Sequence, residues 1–154
     1  MLKTLAIANY RSLLDLTIPL DALNIITGPN ASGKSNVYRA LRLLADTATG
    51  GVVKSLAREG GLRSTFWAGP DNMSARMKRG EVPIQGTHRK DGPQRLRLGF
   101  AGEDFGYSIS LGLPPPGSVG PTAFSLDPEI KRECIWAGDS YRPASCLVDR
   151  QRAL

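Results

Sequence analysis

Along the first sixty residues the spacing of apolar positions changes twice. Lys3 to Ile7 and Leu14 to Leu20 read as two short strands around the polar turn Asn9-Tyr10-Arg11-Ser12. Leu23-Asn24-Ile25-Ile26-Thr27 is short, apolar and β-branched, the composition of a buried third strand. The period then lengthens. Val37, Ala40, Leu41 and Leu44 recur at three and four residues, which predicts a helix with one buried face and with Arg39 and Arg42 on the other. Gly50-Gly51 closes that helix, and Val52 to Arg58 reads as a second one stopped by Gly60-Gly61.

Beyond this point turn chemistry dominates. Residues 68–93 hold Gly69-Pro70-Asp71-Asn72, an arginine-rich stretch and Asp91-Gly92-Pro93, so they read as loop. A hairpin follows. Leu96, Leu98 and Phe100 alternate with Arg95, Arg97 and Gly99; Gly102-Glu103-Asp104 turns the chain; Phe105, Tyr107, Ile109, Leu111 and Leu113 alternate again. Residues 114–121 are linker-like, and Ile130 to Trp136 and Ser145 to Val148 are two further candidate strands.

The segment between the third strand and the first helix carries the chemistry. Residues 28–35 read Gly-Pro-Asn-Ala-Ser-Gly-Lys-Ser and satisfy every fixed position of the phosphate-binding (Walker A) pattern G-x-x-x-x-G-K-[ST]. With this chain's own residue frequencies, about 0.01 such matches arise by chance. In such a loop the backbone N–H groups face phosphate oxygens, and glycine permits a close approach that a Cβ would block. Gly28 and Gly33 fill those positions, Lys34 reaches the β- and γ-phosphates, and the Ser35 hydroxyl is placed to ligate Mg²⁺. Asn36 follows on the helix, whose N-terminus adds further N–H groups and partial positive charge. The nucleotide-binding set is therefore Gly28, Pro29, Asn30, Ala31, Ser32, Gly33, Lys34, Ser35 and Asn36, with Mg-ATP as ligand.

Composition narrows the class. At 154 residues and 41% apolar, the chain has the length of one domain and enough apolar content for a core. The first twenty residues are interrupted by Asn9, Arg11 and Asp15, so they lack the apolar centre of a secretory signal, and prolines break the uncharged stretch 111–126. No membrane segment is predicted, and the cytoplasm is the default address. Cys134 and Cys146 form neither a Cys-x-x-Cys nor a His-containing pattern and read as buried thiols; His88 lies in a polar loop and takes no role. The net charge of +6 is uneven: +2 over residues 1–50, +6 over 51–100 and −2 over 101–154. Arg76, Lys78, Arg79, Arg89, Lys90, Arg95 and Arg97 thus make segment 76–97 a candidate for a nucleic-acid backbone, though aromatic residues for stacking are nearly absent there.

The run Leu5-Ala6-Ile7-Ala8-Asn9-Tyr10-Arg11-Ser12-Leu13, followed by Leu23 to Thr27 and by Gly28 to Asn36, resembles the N-terminal lobe of ABC-like AAA-family ATPases. RecF and the chromosome-maintenance ATPases share this opening: a strand, an Asn-aromatic-Arg/Lys-Ser turn, a strand and a G-x-N-G-x-G-K-S-N loop. About 45 residues match tightly. Ala31 departs from it, standing where the family often has Gly. The resemblance implies an α/β P-loop NTPase lobe with a mixed sheet and an antiparallel β-subdomain, to which the hairpin at 95–113 would correspond. It divides the lobe into a nucleotide-binding core (1–60), a basic loop region (61–93) and a β-rich subdomain (94–154). It also implies that the turn Asn9 to Ser12 lies beside the nucleotide, with Arg11 in contact, and that the complete protein dimerises on ATP.

Hydrolysis in P-loop ATPases needs an acid at the end of an apolar strand and a group that orients water. In the resembled family these lie far downstream. The local candidates here are Asp149, with Arg150 where a glutamate is expected, and Asp127, which Pro128 assigns to a turn. The chain reads as the front part of a longer ATPase, serving DNA repair, chromosome handling or defence, that alone binds ATP without rapid turnover. Two alternatives remain open at this stage: a P-loop kinase of small molecules or nucleotides, and a basic nucleic-acid module with a vestigial phosphate loop.

Overall fold

Leu5, Ile7, Leu96, Leu98, Ile109 and Leu111 come from three separate stretches of sequence, yet all six are buried in one cluster. Strand alternation puts them on one face of a sheet, and the helices close over them. In the computed structural model, which describes residues 1–70, 73–85, 93–115 and 126–151, the strands are β1 (Leu2–Tyr10), β2 (Leu13–Pro19), β3 (Leu96–Gly102), β4 (Phe105–Gly112), β5 (Glu129–Ala137) and β6 (Cys146–Gln151). They form a six-stranded sheet in the order β2-β1-β3-β4-β5-β6. Every pairing is antiparallel. The helices are α1 (Lys34–Thr47), α2 (Val52–Arg58), α3 (Leu62–Thr65) and α4 (Ala75–Lys78).

The sequence-predicted hairpin forms as read, with Ala101 opposite Gly106 across the Gly102-Glu103-Asp104 turn. Its apolar positions face the helices: Val37, Ala40, Leu43 and Leu44 of α1, Leu56 of α2 and Leu62 of α3 join the same cluster. Each fully buried leucine of this set contributes about 2 kcal/mol through removal of apolar surface from water. Leu43 replaces Leu41 in the expected stripe, because the buried arc of α1 is centred slightly further along; Leu41 packs only partly against the core. α2 spans the predicted residues and ends in a reversal at which the Gly61 N–H donates to Leu56 O at 2.8 Å. Gly60 and Gly61 there have φ of 92° and 87°, values that a Cβ disfavours.

Three expectations are corrected. Residues 23–27 form no strand: Leu23, Ile25 and Ile26 are 80%, 78% and 50% exposed. A strand exists only through the ladder it shares, and among the described residues none runs beside this segment, so its apolar composition goes unmet. Asp21 and Asn24 instead close a turn after β2, in which Asn24 Nδ2 donates to Asp21 O at 2.8 Å. The mixed sheet is therefore, among the described residues, wholly antiparallel. The loop read over 68–93 also contains one short helix, α4, whose N-cap Ser74 accepts a hydrogen bond from the Met77 N–H. Residues 1–19 and 96–151 contribute strands to the same sheet, β1 lying directly against β3. His88, Arg89, Lys90 and the proline-rich residues 116–121 lie outside the described residues.

Candidate functional site

Two short backbone features meet at the N-terminus of α1. The first is the phosphate loop. Gly28 and Gly33 take φ of 153° and 97°, and Ala31 takes 64°, so the chain is left-handed at Gly33 and Ala31 as it curls toward the helix. Gly33 is the N-cap of α1, and its carbonyl accepts from the N–H groups of Asn36 at 2.9 Å and Val37 at 3.2 Å. A helix start leaves its first N–H groups without helical partners, and here they open toward the loop. Lys34 Nζ donates to the carbonyls of Gly28 at 2.6 Å and Pro29 at 2.7 Å. The ammonium is thus held across the mouth of its own loop. Ser35 follows on the first turn, exposed, with no side-chain partner among the described residues.

The second feature is the turn between β1 and β2. Asn9 and Arg11 have φ of 59° and 50°, a conformation held by its neighbours rather than by glycine. Asn9 Nδ2 donates to Arg95 O at 3.0 Å, its Oδ1 accepts from the Trp67 N–H at 3.0 Å, and the Arg11 N–H donates to Thr65 O at 2.7 Å. The turn so fixed delivers Ser12 to the phosphate loop. Asn36 Nδ2 donates to Ser12 Oγ at 2.8 Å, and a Cβ on Gly33 would stand 2.6 Å from that same oxygen. The phosphate loop and the Asn-aromatic-Arg-Ser turn are therefore in contact.

Arg11 itself is directed elsewhere. Its guanidinium donates to Glu59 Oε2 from Nη2 at 2.7 Å and from Nε at 3.0 Å. The buried Tyr10 hydroxyl lies 2.8 Å and 2.9 Å from the two Glu59 oxygens, and Arg11 lies over the Tyr10 ring. Burial, then the hydrogen bond to Glu59, pushes the Tyr10 phenol up to about 12. Burial opposes the charge on Arg11, but Glu59 outweighs it and raises the guanidinium above its usual range. Glu59 was missed in the sequence. Its only signal is a lone acid just ahead of the Gly60-Gly61 stop.

Asp149, the candidate metal acid, sits on β6 at the sheet edge opposite β2 and receives a two-pronged pair from Arg132 at 2.8 and 2.9 Å. That pairing holds its carboxyl below the usual range. Asp127 is exposed in a bend. Among the described residues no cluster of three or more acidic, histidine or cysteine side chains is arranged to hold a metal. No helix among them is long and apolar enough to cross a membrane. Within the basic segment, Arg76 and Arg79 both pair with Glu81, whereas Arg95 and Arg97 lie at β3.

The site is thus a left-handed loop ending in Gly-Lys-Ser at a helix N-terminus, braced by a strand-to-strand turn. Residues 1–100 match the family model described as an AAA ATPase domain, and the chain belongs to that family. A stretch of 44 residues, 29% of this chain, is 46% identical to the OLD nuclease of Thermus scotoductus (strain ATCC 700910 / SA-01) and spans 8% of that protein. No solved structure matches the chain.

Proposed function

We propose that the chain binds Mg-ATP through Gly28–Asn36 and that, within the whole protein, this lobe takes part in ATP hydrolysis. The observation that carries the reading is the position of Lys34, whose ammonium is tied to the carbonyls of Gly28 and Pro29. A cation held across a ring of backbone dipoles can exchange those two carbonyls for phosphate oxygens without moving the helix that bears it. The donor set fits the ligand. Ser35 offers Mg²⁺ a hydroxyl with no partner among the described residues, and the first turn of α1 offers N–H groups to the phosphates. Mg²⁺ would supply charge neutralisation at the β- and γ-phosphates. Ser12 and Asn36 brace the loop, and Arg11 reaches nucleotide only by leaving Glu59.

Calorimetric titration of Mg-ATP tests this. Wild-type protein is expected to bind, Lys34→Ala to bind at least about tenfold more weakly, as loss of a charge-assisted contact requires, and Ser35→Ala to lose the strengthening by Mg²⁺. A folded wild-type chain that takes up no nucleotide would overturn the reading. Glu59, an acid that shares a pocket with Ser35, is taken up by Tyr10 and Arg11, so the chain alone should turn ATP over slowly; fast turnover abolished by Lys34→Ala would refute that part. ATP-dependent pairing of two lobes, and a role in DNA repair, chromosome handling or defence, are proposals about the whole protein. They rest on the AAA ATPase family and on the likeness to a nuclease.

A further inference from the structure

The face of the sheet turned away from α1 carries a different composition. On that side β4 presents Gly106, Ser108, Ser110 and Gly112 in succession, since Tyr107, Ile109 and Leu111 turn toward the helices. The strands on either side carry long side chains there: Arg97 of β3 is opposite Ser110, and Arg132 of β5 is opposite the same serine. Small residues along one strand between long ones on its neighbours make a trough. It holds a cavity of about 620 Å³ that continues over β3 and β1 into a second of about 300 Å³, with Arg97, Ser108 and Trp136 shared by both. Eight residues of strand give it a length of about 26 Å.

Its chemistry is specific. Arg95 and Arg97 have no acid within ion-pair distance among the described residues, and the hydroxyls of Ser108 and Ser110 have no partner there. Arg132 is held rigidly by Asp149, and Lys131, the extra residue of a bulge in β5, pairs with Glu129 at 2.7 Å. The Lys131 and Arg95 stems pass over Gly112, where a Cβ would lie 3.1 to 3.4 Å from them. At the end of the trough Tyr141, 47% exposed, meets the buried Trp136 edge to face at 5.7 Å. Trp136 lies flat on Gly106, and its Nε1 is buried without a partner among the described residues. Asp15 of β2 is a carboxylate on the second cavity.

We propose that this trough binds single-stranded nucleic acid, with the phosphates following Arg95, Arg97 and Arg132 and a base stacked on Tyr141. Arg95 and Arg97, without an acid partner among the described residues, recruit a polyanion, and a braced, exposed aromatic ring selects one with flat faces to offer. An acidic peptide satisfies the first feature only. A duplex keeps its base faces stacked within itself and cannot use the second.

Fluorescence anisotropy with a labelled oligothymidylate tests the proposal independently of the phosphate loop. Salt-dependent binding should weaken about tenfold or more in Arg97→Gln and in Tyr141→Ala, survive in Tyr141→Phe, and remain unchanged in Lys34→Ala. Thermal denaturation of each variant separates lost binding from lost fold, and Arg97 and Tyr141 are exposed enough for both exchanges to be carried. The proposal is overturned if oligothymidylate does not bind, if duplex DNA or polyglutamate binds as tightly, or if reversal of Arg76 and Arg79 weakens binding while Arg97→Gln and Tyr141→Ala do not.

Discussion

Ala31 bears the strain of the phosphate loop. At φ 64° its Cβ crowds the backbone, a conformation costing about 1 to 2 kcal/mol in any residue but glycine. Ala31→Gly relieves that cost and gives back about 0.5 to 1 kcal/mol in chain entropy. The net expectation is a stabilisation of about 0.5 to 1 kcal/mol, read by urea denaturation; destabilisation would mean that the Ala31 methyl makes a contact worth more than its strain. Gly33 is the opposite case. Its φ of 97° strains any side chain, and a Cβ 2.6 Å from Ser12 Oγ would make Gly33→Ala turn that hydroxyl away from Asn36. That variant should lose Mg-ATP affinity while the sheet remains folded, a separation that calorimetry and circular dichroism on one sample will show.

Among elements, β4 is where two surfaces are decided by one strand. Tyr107, Ile109 and Leu111 pack into the core beneath α1, and the even-numbered positions are kept to glycine and serine. Gly106 is the clearest: a Cβ there would stand 2.1 Å from the Trp136 ring, which no small rotation relieves. Gly106→Ala should therefore lift the indole off the sheet and loosen the cluster of Ala101, Cys134 and Trp136. The cost is about 2 kcal/mol, typical of overpacking. A red shift in tryptophan emission with a lowered melting temperature would register it; an unchanged spectrum would show that Trp136 has another place to go. The cysteines, read as two buried thiols, are only half so. Cys134 is buried, while Cys146 on β6 is partly exposed, 3.9 Å away across the strand pair.

For the molecule as a whole, two tyrosines link pH to stability. Tyr10 joins β1 to the end of α2 through Glu59, and Tyr107 joins β4 to β5 through Glu133 at 2.8 Å. Burial, then the neighbouring carboxylate, raises both phenols from 10.0 to about 12. A raised pKa means that the folded state prefers the protonated phenol, so this stabilisation is complete below pH about 10 and drains away as pH climbs to about 12. Urea midpoints should fall across that window, and less steeply in the Tyr10→Phe/Tyr107→Phe protein. Ultraviolet titration of the phenolates should show two groups ionising late in the wild type.

The loop leading into α1, α1 itself, α2 and the β3–β4 hairpin were legible because each is a local decision. Gly-x-x-x-x-Gly-Lys-Ser fixes a loop by its own torsions, a three-four spacing fixes a helix face, and a two-residue alternation fixes a hairpin with its turn. Residues 23–27 were not legible for the converse reason: apolar side chains state a demand for burial, and only the fold decides whether a partner strand exists to meet it. Arg11 shows the same limit. The resemblance implies that it contacts nucleotide, but its guanidinium is held by Glu59, an acid forty-eight residues away. The trough was split among β3, β4, β5 and the chain leading to β6, so none of its segments shows a site alone. Sequence by itself determined the family and the Gly-x-x-x-x-Gly-Lys-Ser loop that leads into α1; the tertiary structure decided which charges remain unpaired and which faces stay open, because both depend on residues that meet only when strands from distant parts of the chain pair.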